Sequence, residues 1–375
     1  MSFALFDACP ELSARLPRAP LGTFPTPVTP ATGLAGALGV ASADVWLKRD
    51  DISAAAYGGN KVRTLELLFG QARVLGKERV FSTGAFGSNH ALATAFHAAR
   101  CELRPGALLF PQPISFAAYE NLRALSALDV ELRAIAHWSA LPFGIWRLKK
   151  RAGASAPYVM VPGGATPLGA LGYVSAGLEL ARQIADKELP LPRRIVVGVG
   201  STCTSAGLCV GLTLAATRGL GFTRATQPEL CSVRVTPWPI TSRFRILRLA
   251  TAASRLLCTL SGGTLPQFSG SELSRRFDVD GRFLGSGYGL PTDAGREAIA
   301  LWSQLGLPAL DTTYSAKAVA RVLADTRAGS PGPVLFWSTK SSVPLPAQTP
   351  LRADLPPRVA RWLKRAEREL APGAD

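Results

Sequence analysis

Short apolar runs rich in β-branched residues alternate with helix-like segments along most of this 375-residue chain. Several of the runs are apolar at every position, which is typical of parallel strands covered on both faces. Segment 62–75 carries an apolar stripe, and Pro291-Thr292-Asp293 is typical of a capped helix start. The alternation predicts an α/β fold built from doubly wound open sheets. Eight strands are predicted, at 45–47, 79–81, 107–110, 130–132, 158–161, 195–197, 232–235 and 334–337.

Small and hydroxylated residues follow several of these predicted strands. In a doubly wound sheet the strand-to-helix loops collect at the carboxyl ends of the strands, where ligands bind. The repeated clusters therefore predict a binding site along that edge. They occupy 83–90, 162–166, 198–204 and 338–339.

One of these clusters has the composition of an anion site. The apolar run 195–197 leads through Gly200-Ser201-Thr202-Cys203-Thr204 into an apolar helix. Backbone N–H groups and the positive end of that helix would suit an anion, and the hydroxyls could add donors. The segment fits neither the ATP-binding nor the dinucleotide-binding glycine pattern, so a single phosphate group fits better. From the residues alone, an ordinary tight turn between strand and helix explains it at least as well.

Lys61 stands directly after Gly58-Gly59-Asn60, at the start of the predicted helix. A lysine in such a position is usually a surface residue. Burial and the helix N-terminus would instead favour a neutral amine with a lowered pKa, which is the state that covalent attachment of a carbonyl cofactor requires. Both interpretations stay open on the residues alone.

Charge and cysteine content narrow the classes of function. The net charge of +16 raises nucleic acid as a partner, but the basic residues are scattered and no RNA- or DNA-binding motif accompanies them. A solvated, arginine-rich surface is the simpler interpretation, so we expect no nucleic-acid partner. The six cysteines form no CxxC pair and stand at no ligand spacing with histidine, so we expect no metal site.

We also expect neither a secretory signal nor a membrane partner. The first seven residues lack a basic segment followed by an apolar core. No uninterrupted apolar stretch is long enough to cross a bilayer. We therefore expect a cytoplasmic protein with free thiols.

Motifs in a fixed order resemble the 1-aminocyclopropane-1-carboxylate deaminase and D-cysteine desulfhydrase family. These are pyridoxal phosphate enzymes of the tryptophan-synthase-β fold type (fold type II). The resemblance spans about Phe24 to Ser342. It is carried by 47–51 with 58–66, 88–90, 163–164 with 168–173, 200–204, 287–291 and 311–318.

The resemblance implies two doubly wound open-sheet domains with the cofactor cleft between them. A large cofactor-binding domain would comprise 1–62 and 177–345, and a small α/β domain would be inserted at 63–176. A helical extension would follow at 346–375. Pyridoxal 5'-phosphate as cofactor, a small amino acid as substrate and a homodimer are implied as well.

Single residues take roles from the same resemblance. Lys61 matches the lysine that holds the cofactor as a Schiff base and takes the Cα proton. Asn89 matches the residue that hydrogen-bonds the phenolic oxygen of the cofactor. Ser88 matches a hydroxyl near the substrate carboxylate, and His90 stands beside it, so all three are expected at the substrate.

Further roles concern the two ends of the cofactor and the proton transfers. Gly200 to Thr204 match the phosphate cup, and Thr339 matches a hydroxyl that faces the pyridine nitrogen. Tyr288 and Tyr314 match two tyrosines near the substrate that support proton transfer. Core packing is the alternative for each tyrosine. Tyr288 stands in a Gly-Tyr-Gly turn, which disfavours a core position.

The chain departs from the family pattern around the pocket. Thr202 and Cys203 stand where relatives carry two glycines, and a side chain at a left-handed position would cost about 1 kcal/mol or more. Gly87 replaces a glutamine. Ser338-Thr339-Lys340-Ser341 replaces His-Thr-Gly-Gly, which brings the bulk and charge of Lys340 close to the cofactor position.

The resemblance implies an α,β-elimination that releases a keto acid and ammonia, with sulfide if the substrate is cysteine. Ser315 stands where the cyclopropane deaminases carry a glutamate, so we expect a D-cysteine desulfhydrase-like lyase. 1-Aminocyclopropane-1-carboxylate deaminase activity is the alternative. The changes at Thr202, Cys203 and Lys340 also allow a cofactor-binding protein without turnover, in a regulatory or scaffold role.

Overall fold

The computed structural model describes residues 3–329, 332–345 and 350–371. All eight predicted strands are present in it, together with two that the sequence pattern does not predict. The strands are β1 (Val28–Pro30), β2 (Val45–Lys48), β3 (Arg79–Ala85), β4 (Arg104–Phe110), β5 (Glu131–Ala134), β6 (Tyr158–Val159), β7 (Arg194–Val199), β8 (Glu229–Arg234), β9 (Phe277–Asp280) and β10 (Val334–Trp337).

The strands form two separate sheets. The larger sheet has the order β1-β2-β10-β7-β8-β9 and is parallel except for β1, which pairs antiparallel with β2. The smaller sheet has the order β5-β4-β3-β6 and is parallel throughout. Because β7 and β10 are parallel neighbours, the loops that follow them open at the same edge of the larger sheet.

Helices precede, join and follow these strands. They are α1 (Ala4–Ala8), α2 (Leu12–Arg15), α3 (Leu34–Leu38), α4 (Lys61–Val74), α5 (Asn89–Ala98), α6 (Phe116–Ala127), α7 (Leu141–Ala152), α8 (Pro167–Ala185), α9 (Cys203–Thr217), α10 (Arg243–Leu260), α11 (Gly270–Ser274), α12 (Asp293–Gln304), α13 (Ser315–Arg327) and α14 (Pro357–Glu369). The predicted helix at 62–75 is α4. The predicted capped start is that of α12, where the Thr292 hydroxyl accepts from the Gly295 N–H at 3.1 Å.

Both faces of the larger sheet are covered, as the apolar strand sequences require. Ile195 and Val197 of β7 share a core with α8, α9 and α10, whereas Val196 between them packs with α12 and α13 on the opposite face. A third core joins the smaller sheet to α4, α5, α6 and α14. The predicted doubly wound α/β fold is confirmed.

The domain boundaries stay a prediction. All strands of the smaller sheet fall within the predicted insert at 63–176, and all strands of the larger sheet fall outside it. α8 runs through the predicted boundary between 176 and 177 as one continuous helix. Of the predicted extension at 346–375, residues 346–349 and 372–375 lie outside the described residues.

α14 accounts for the described part of that extension, and it packs against the molecule. Val359, Trp362, Leu363 and Ala366 are buried in the core of the smaller sheet, and the Trp362 indole donates to the Gln112 carbonyl at 3.0 Å. Across the described ranges, no helix combines the length and apolar character needed to cross a membrane.

A buried network of four charges links β2, α4 and α8. The Arg63 guanidinium donates to Asp50 at 2.8 and 3.0 Å and to Glu179 at 2.8 and 2.9 Å. The Lys48 ammonium donates to Glu179 at 2.6 Å. Two cations thus balance two carboxylates in a region closed to solvent, the condition under which buried charges are tolerated.

Aromatic donors complete the network around Asp50. The hydroxyl of Tyr173 and the indole of Trp337 donate to Asp50 Oδ2 at 2.7 and 2.8 Å. Burial alone would raise the pKa of Asp50, but Arg63, Lys48 and the Tyr173 hydroxyl lower the pKa to about 2. The motif residues on either side of Lys61 therefore fix the start of α4 from inside the core.

Candidate active site

Lys61 begins α4, and the segment before it is bound to the loop after β10. The Asn60 N–H donates to the Thr339 carbonyl at 2.9 Å, and the Gly58 N–H donates to the Ser341 hydroxyl at 3.0 Å. Gly59 has φ 93°, and a Cβ there would lie 2.7 Å from the Thr339 carbonyl oxygen. The glycine is needed both for this conformation and for the close approach of the two loops.

The Lys61 side chain points inward. Its Nζ lies 3.5 Å from the place that a Cβ on Gly163 would occupy, and the Ser201 hydroxyl lies against the same point. No hydrogen-bond partner for this amine is found in the described part of the chain. Burial lowers the pKa of Lys61, with only weak opposition from Cys203. The amine thus faces the interior and burial disfavours its charged form, so the surface interpretation is not favoured.

The loop between β7 and α9 lies next to this amine. The first N–H groups of a helix have no partner within the helix, so those of α9 are available to an anion. Asn60 Nδ2 donates to the Thr204 hydroxyl at 3.0 Å and so joins the loop to the lysine segment. The structure thus brings the loop at 200–204 and Lys61 together, with the side chains of Ser201 and Thr204 beside the lysine segment.

Thr202 has the left-handed conformation that its glycine counterpart would adopt without strain. It caps α9 with φ 70° and ψ −21°. A β-branched residue in this region is a rare outlier that costs of order 1–3 kcal/mol. Such strain persists only where the surrounding packing determines the conformation.

Cys203 does not present its side chain to the loop. Cys203 is the first residue of α9, and its thiol is buried. The thiol donates to the Gly164 carbonyl at 3.4 Å and lies 3.9 Å from the Thr64 hydroxyl. Burial raises the pKa of this thiol. The thiol therefore points away from the loop, so the expected place of Cys203 in the phosphate cup depends on its backbone N–H and stays a prediction.

Ser88 and Asn89 lie at the N-terminus of α5. The Ser88 hydroxyl accepts from the Ala91 N–H at 3.3 Å, so its own proton stays available to a ligand. Asn89 Oδ1 accepts from the Tyr57 hydroxyl at 3.2 Å and from Asn121 Nδ2 at 2.7 Å. These bonds fix the amide so that Nδ2 remains as a donor.

His90, the next residue along α5, turns its side chain toward Gly164. Its side chain is buried at 2% exposure, and a Cβ on Gly164 would lie 3.5 Å from its Cε1. Neither ring nitrogen has a partner among the described residues. Burial, together with a smaller effect of the Lys61 amine, lowers the pKa of His90 to about 3. The neutral imidazole therefore packs beside Gly164, and its expected place at the substrate stays a prediction.

Tyr288 and Tyr314 form a hydrogen-bonded pair. Their hydroxyl oxygens are 3.0 Å apart, and their rings meet edge to face with centroids 6.2 Å apart. Burial raises the pKa of both hydroxyls, so both stay protonated at neutral pH. A Cβ on Gly200 would lie 3.1 Å from the ring of Tyr314, which places that ring beside the 200–204 loop.

Two charged residues hold the pair in position. The Asp311 carboxylate accepts from the N–H groups of Thr313, Tyr314 and Ser315 at 2.8, 2.7 and 3.1 Å. The Lys317 ammonium donates to the carbonyls of Leu284 and Gly287 at 2.7 and 3.3 Å, in the loop that carries Tyr288.

Both tyrosines and Asn89 line one pocket. It also contains Lys340, whose ammonium donates to the Tyr57 hydroxyl at 3.2 Å and to Asn121 Oδ1 at 3.3 Å. The pocket is lined by Gly87, Asn89, Gln112, Ala117, Ala118, Asn121, Tyr288, Asp311, Thr313, Tyr314 and Lys340.

The structure explains the glycine at position 87. A Cβ there would lie 2.6 Å from the Cα of Ala118, so α6 occupies the space that a side chain would need. Gln112 comes from the next strand-to-helix loop, and its Oε1 accepts from the Gly87 N–H at 3.1 Å. An amide thus stands beside position 87 although the residue itself carries none.

Sequence reasoning missed several residues of this site. Tyr57, Gln112 and Asn121 carry no motif signal, because each is defined by what it meets in space. Lys317 and Asp311 stand inside the 311–318 motif and could have been singled out there. In the described part of the chain no group of three His, Cys, Asp or Glu side chains could hold a metal ion.

Comparison with known proteins agrees with this geometry. A family model described as "Pyridoxal-phosphate dependent enzyme" matches residues 20–339. The chain is 32% identical over 334 residues to nocardicin C-9' epimerase of Nocardia uniformis subsp. tsuyamanensis, covering 87% of this chain and 93% of the relative. It is 32% identical over 348 residues to D-cysteine desulfhydrase of Salmonella choleraesuis (strain SC-B67), covering 90% and 97%.

A solved structure shares the fold. The crystal structure of an ACC deaminase homologue matches with a TM-score of 0.72 and 24% identity, over 98% of this chain and 100% of that chain. The resemblance drawn from the motifs is thereby confirmed. The chain belongs to the family of pyridoxal-phosphate dependent enzymes, and its cofactor is pyridoxal phosphate.

Proposed function

We propose that this enzyme removes the β-substituent of a small amino acid by α,β-elimination, in the manner of a D-cysteine desulfhydrase, releasing a keto acid and ammonia. The observation that carries the proposal is the placement of two proton carriers around one loop. The Lys61 amine and the Tyr288–Tyr314 pair both adjoin 200–201. An elimination needs one group to take the Cα proton and another to protonate the leaving group.

The residues present fit the cofactor. Lys61 has a buried amine with a lowered pKa, which is required for covalent attachment to an aldehyde. The N–H groups at the start of α9 and the hydroxyls of Ser201 and Thr204 would hold the phosphate. Asn89 Nδ2 would donate to the phenolic oxygen, since the carbonyl end of that amide is already engaged. Thr339 would face the pyridine nitrogen.

The chain's own residues supply the proton transfers. When bound, pyridoxal phosphate delocalises the electron pair that remains at Cα after its proton is removed. Lys61 Nζ would take that proton, because burial disfavours the charged form of the amine. The Tyr288 hydroxyl would deliver a proton to the leaving group, because burial keeps it protonated. Ser88, at the N-terminus of α5, would hold the substrate carboxylate.

Ring opening of a cyclopropane substrate is less favoured. The Ser315 hydroxyl donates to Asp311 Oδ2 at 2.7 Å and is buried. It does not line the pocket. The position after Tyr314 therefore offers no acid to the pocket where the cyclopropane deaminases carry a glutamate.

A cytoplasmic homodimer is part of the proposal. The six cysteines are free, which agrees with a reducing compartment. The dimer rests on the family resemblance, and sedimentation of the purified protein tests it.

Absorbance and product assays together test the proposed reaction. We expect the protein purified with pyridoxal phosphate to absorb in the visible range and to release pyruvate or ketobutyrate with ammonia from a panel of D- and L-amino acids. Lys61→Ala should lower the rate by on the order of 10²–10⁴-fold or more. Lys364→Ala, on an exposed face of α14, is the matched control and should change neither readout.

Other outcomes would contradict the proposal. Inversion at Cα without release of ammonia would indicate an epimerase, the activity named for the Nocardia relative. A coloured protein that turns over no amino acid would indicate a cofactor-binding protein without turnover.

A further inference from the structure

Lys340 is held rigidly at the edge of the pocket. The residues on both sides of it accept hydrogen bonds from the segment that precedes Lys61. The Thr339 carbonyl accepts from the Asn60 N–H, and the Ser341 hydroxyl accepts from the Gly58 N–H. One residue further, the Ser342 hydroxyl donates to Asp51 at 2.7 Å. The backbone at 339–342 is thus fixed, and the Lys340 side chain extends into the pocket.

The Lys340 ammonium has only neutral partners. It donates to the Tyr57 hydroxyl and to Asn121 Oδ1, and it lies 5.4 Å from the centre of the Tyr57 ring. Over 3–329, 332–345 and 350–371, no carboxylate comes within ion-pair distance of it. Glu120 is near enough to interact with this charge, but no carboxylate of the described residues contacts it. A partly buried cation in this situation attracts an anion, because the surrounding dielectric is low.

The acidic residue in the same pocket forms no ion pair with this cation. The Asp311 carboxylate is satisfied by three backbone N–H groups and by the Ser315 hydroxyl. The amide of Gln112 provides a second donor in the pocket. Gln112 Nε2 lies 3.4 Å from the place of a Cβ on Gly289, next to Tyr288, while the carbonyl end of this amide is bound to Gly87.

We propose that Lys340, assisted by Gln112, binds an anionic group on the side chain of the substrate, such as a sulfonate or a phosphate ester at Cβ. The inference rests on the proposed elimination and names its substrate class. The α-carboxylate is already assigned to Ser88, so Lys340 serves a second negative charge. The preferred substrates are amino acids that carry two anionic groups.

The elimination balances for such a substrate. With a sulfonate at Cβ, the Cα proton moves to Lys61 Nζ and the Cβ–S bond breaks with its electron pair leaving on sulfite. Water then hydrolyses the released enamine through its imine to a keto acid and ammonia. No oxidant or reductant is required.

Matched pairs of amino acids test the proposal on the holoenzyme. The probes are cysteate against cysteine and O-phosphoserine against O-acetylserine, each in both enantiomers. We expect kcat/KM of the wild type to favour the anionic member of each pair. Lys340→Met should lower kcat/KM for the anionic members by on the order of 10- to 100-fold more than for the neutral members, as expected for the loss of a hydrogen bond to a charged group.

Two further variants keep the test decisive if Lys340→Met folds poorly. Lys340→Arg retains the charge and should preserve the preference for the anionic members. Lys149→Met removes an exposed charge from α7 and should leave the preference unchanged. Equal losses on anionic and neutral probes in Lys340→Met would overturn the proposal.

A binding readout separates this proposal from the proposed reaction. Aspartate and asparagine are titrated against the visible absorbance of the bound cofactor, which needs no turnover. Tighter binding of aspartate than of asparagine in the wild type, lost in Lys340→Met, supports the anion site. If in addition no probe reacts, that result refutes only the proposed elimination. A Lys340→Met spectrum altered without amino acid, together with an unchanged aspartate preference, would place Lys340 on the cofactor and overturn the proposal.

Discussion

Thr202 shows how one residue stores strain at the candidate phosphate loop. Its φ of 70° is the conformation that glycine adopts without cost, yet the residue is β-branched and buried. Thr202→Gly is expected to raise the free energy of unfolding of the cofactor-free protein by about 1 kcal/mol, because the relieved strain exceeds the added chain entropy. Urea unfolding measures this. Thr202→Ala keeps the Cβ, and a gain equal to that of glycine would contradict the explanation.

The buried His90 should make the stability of the protein depend on pH. Its pKa falls from the usual 6.5 to about 3 on folding, because burial disfavours the imidazolium. Between these values the unfolded chain binds a proton that the folded chain does not, so this residue lowers stability as the pH falls. The stability of the wild type relative to His90→Gln should decline by up to about 1.4 kcal/mol per pH unit below about pH 6.5 and stay constant above it.

Chemical unfolding between about pH 5 and 8 checks this slope. His137→Gln is the control, since that ring is exposed. If the difference between wild type and His90→Gln stays constant across the whole range, the imidazole is not buried in its neutral form.

At the scale of elements, the buried charges at the start of α4 have a measurable effect on stability. Arg63→Met leaves Asp50 and Glu179 without their shared cation, and breaking a buried pair in this way costs about 3–5 kcal/mol. Arg104→Met is the matched control, because its ion pair with Glu78 is exposed and such pairs contribute about 0–1 kcal/mol. Similar urea midpoints for the two variants would show that the network does not stabilise the fold.

In the larger sheet, the interior strands could be predicted from sequence, whereas the two edge strands could not. The interior strands are continuous apolar runs because both faces are covered, and this pattern identifies them without any partner. β1 has three residues and ends in Pro30, and β9 alternates with aspartates, so neither carries a strand pattern. Their pairing depends on the neighbour at the edge of the sheet, which the local sequence does not specify.

At the scale of the whole molecule, the site could be predicted only where a motif is continuous in sequence. Lys61 and the 200–204 loop follow from such motifs together with the family resemblance. The contact of Lys340 with Asn121 joins residues 219 positions apart. It brings a loop of the larger sheet against a helix of the smaller one, and nothing in either local pattern encodes that meeting. The neighbours of His90, Gly164 and Lys61, are likewise distant from it in sequence.

Cofactor binding should stabilise the molecule as a whole, because the residues assigned to pyridoxal phosphate come from both sheets. Asn89 follows β3, whereas the 200–204 loop follows β7. Cofactor at about 100 times its Kd is expected to add about 2.7 kcal/mol to the free energy of unfolding. Pyridoxal without the phosphate should add clearly less at the same concentration, since the N-terminus of α9 then has no anion to bind. Calorimetry of the cofactor-free protein with each compound measures both effects. Equal stabilisation by the two compounds would show that the 200–204 loop does not hold the phosphate, and the assignment of Ser201 and Thr204 would fall with it.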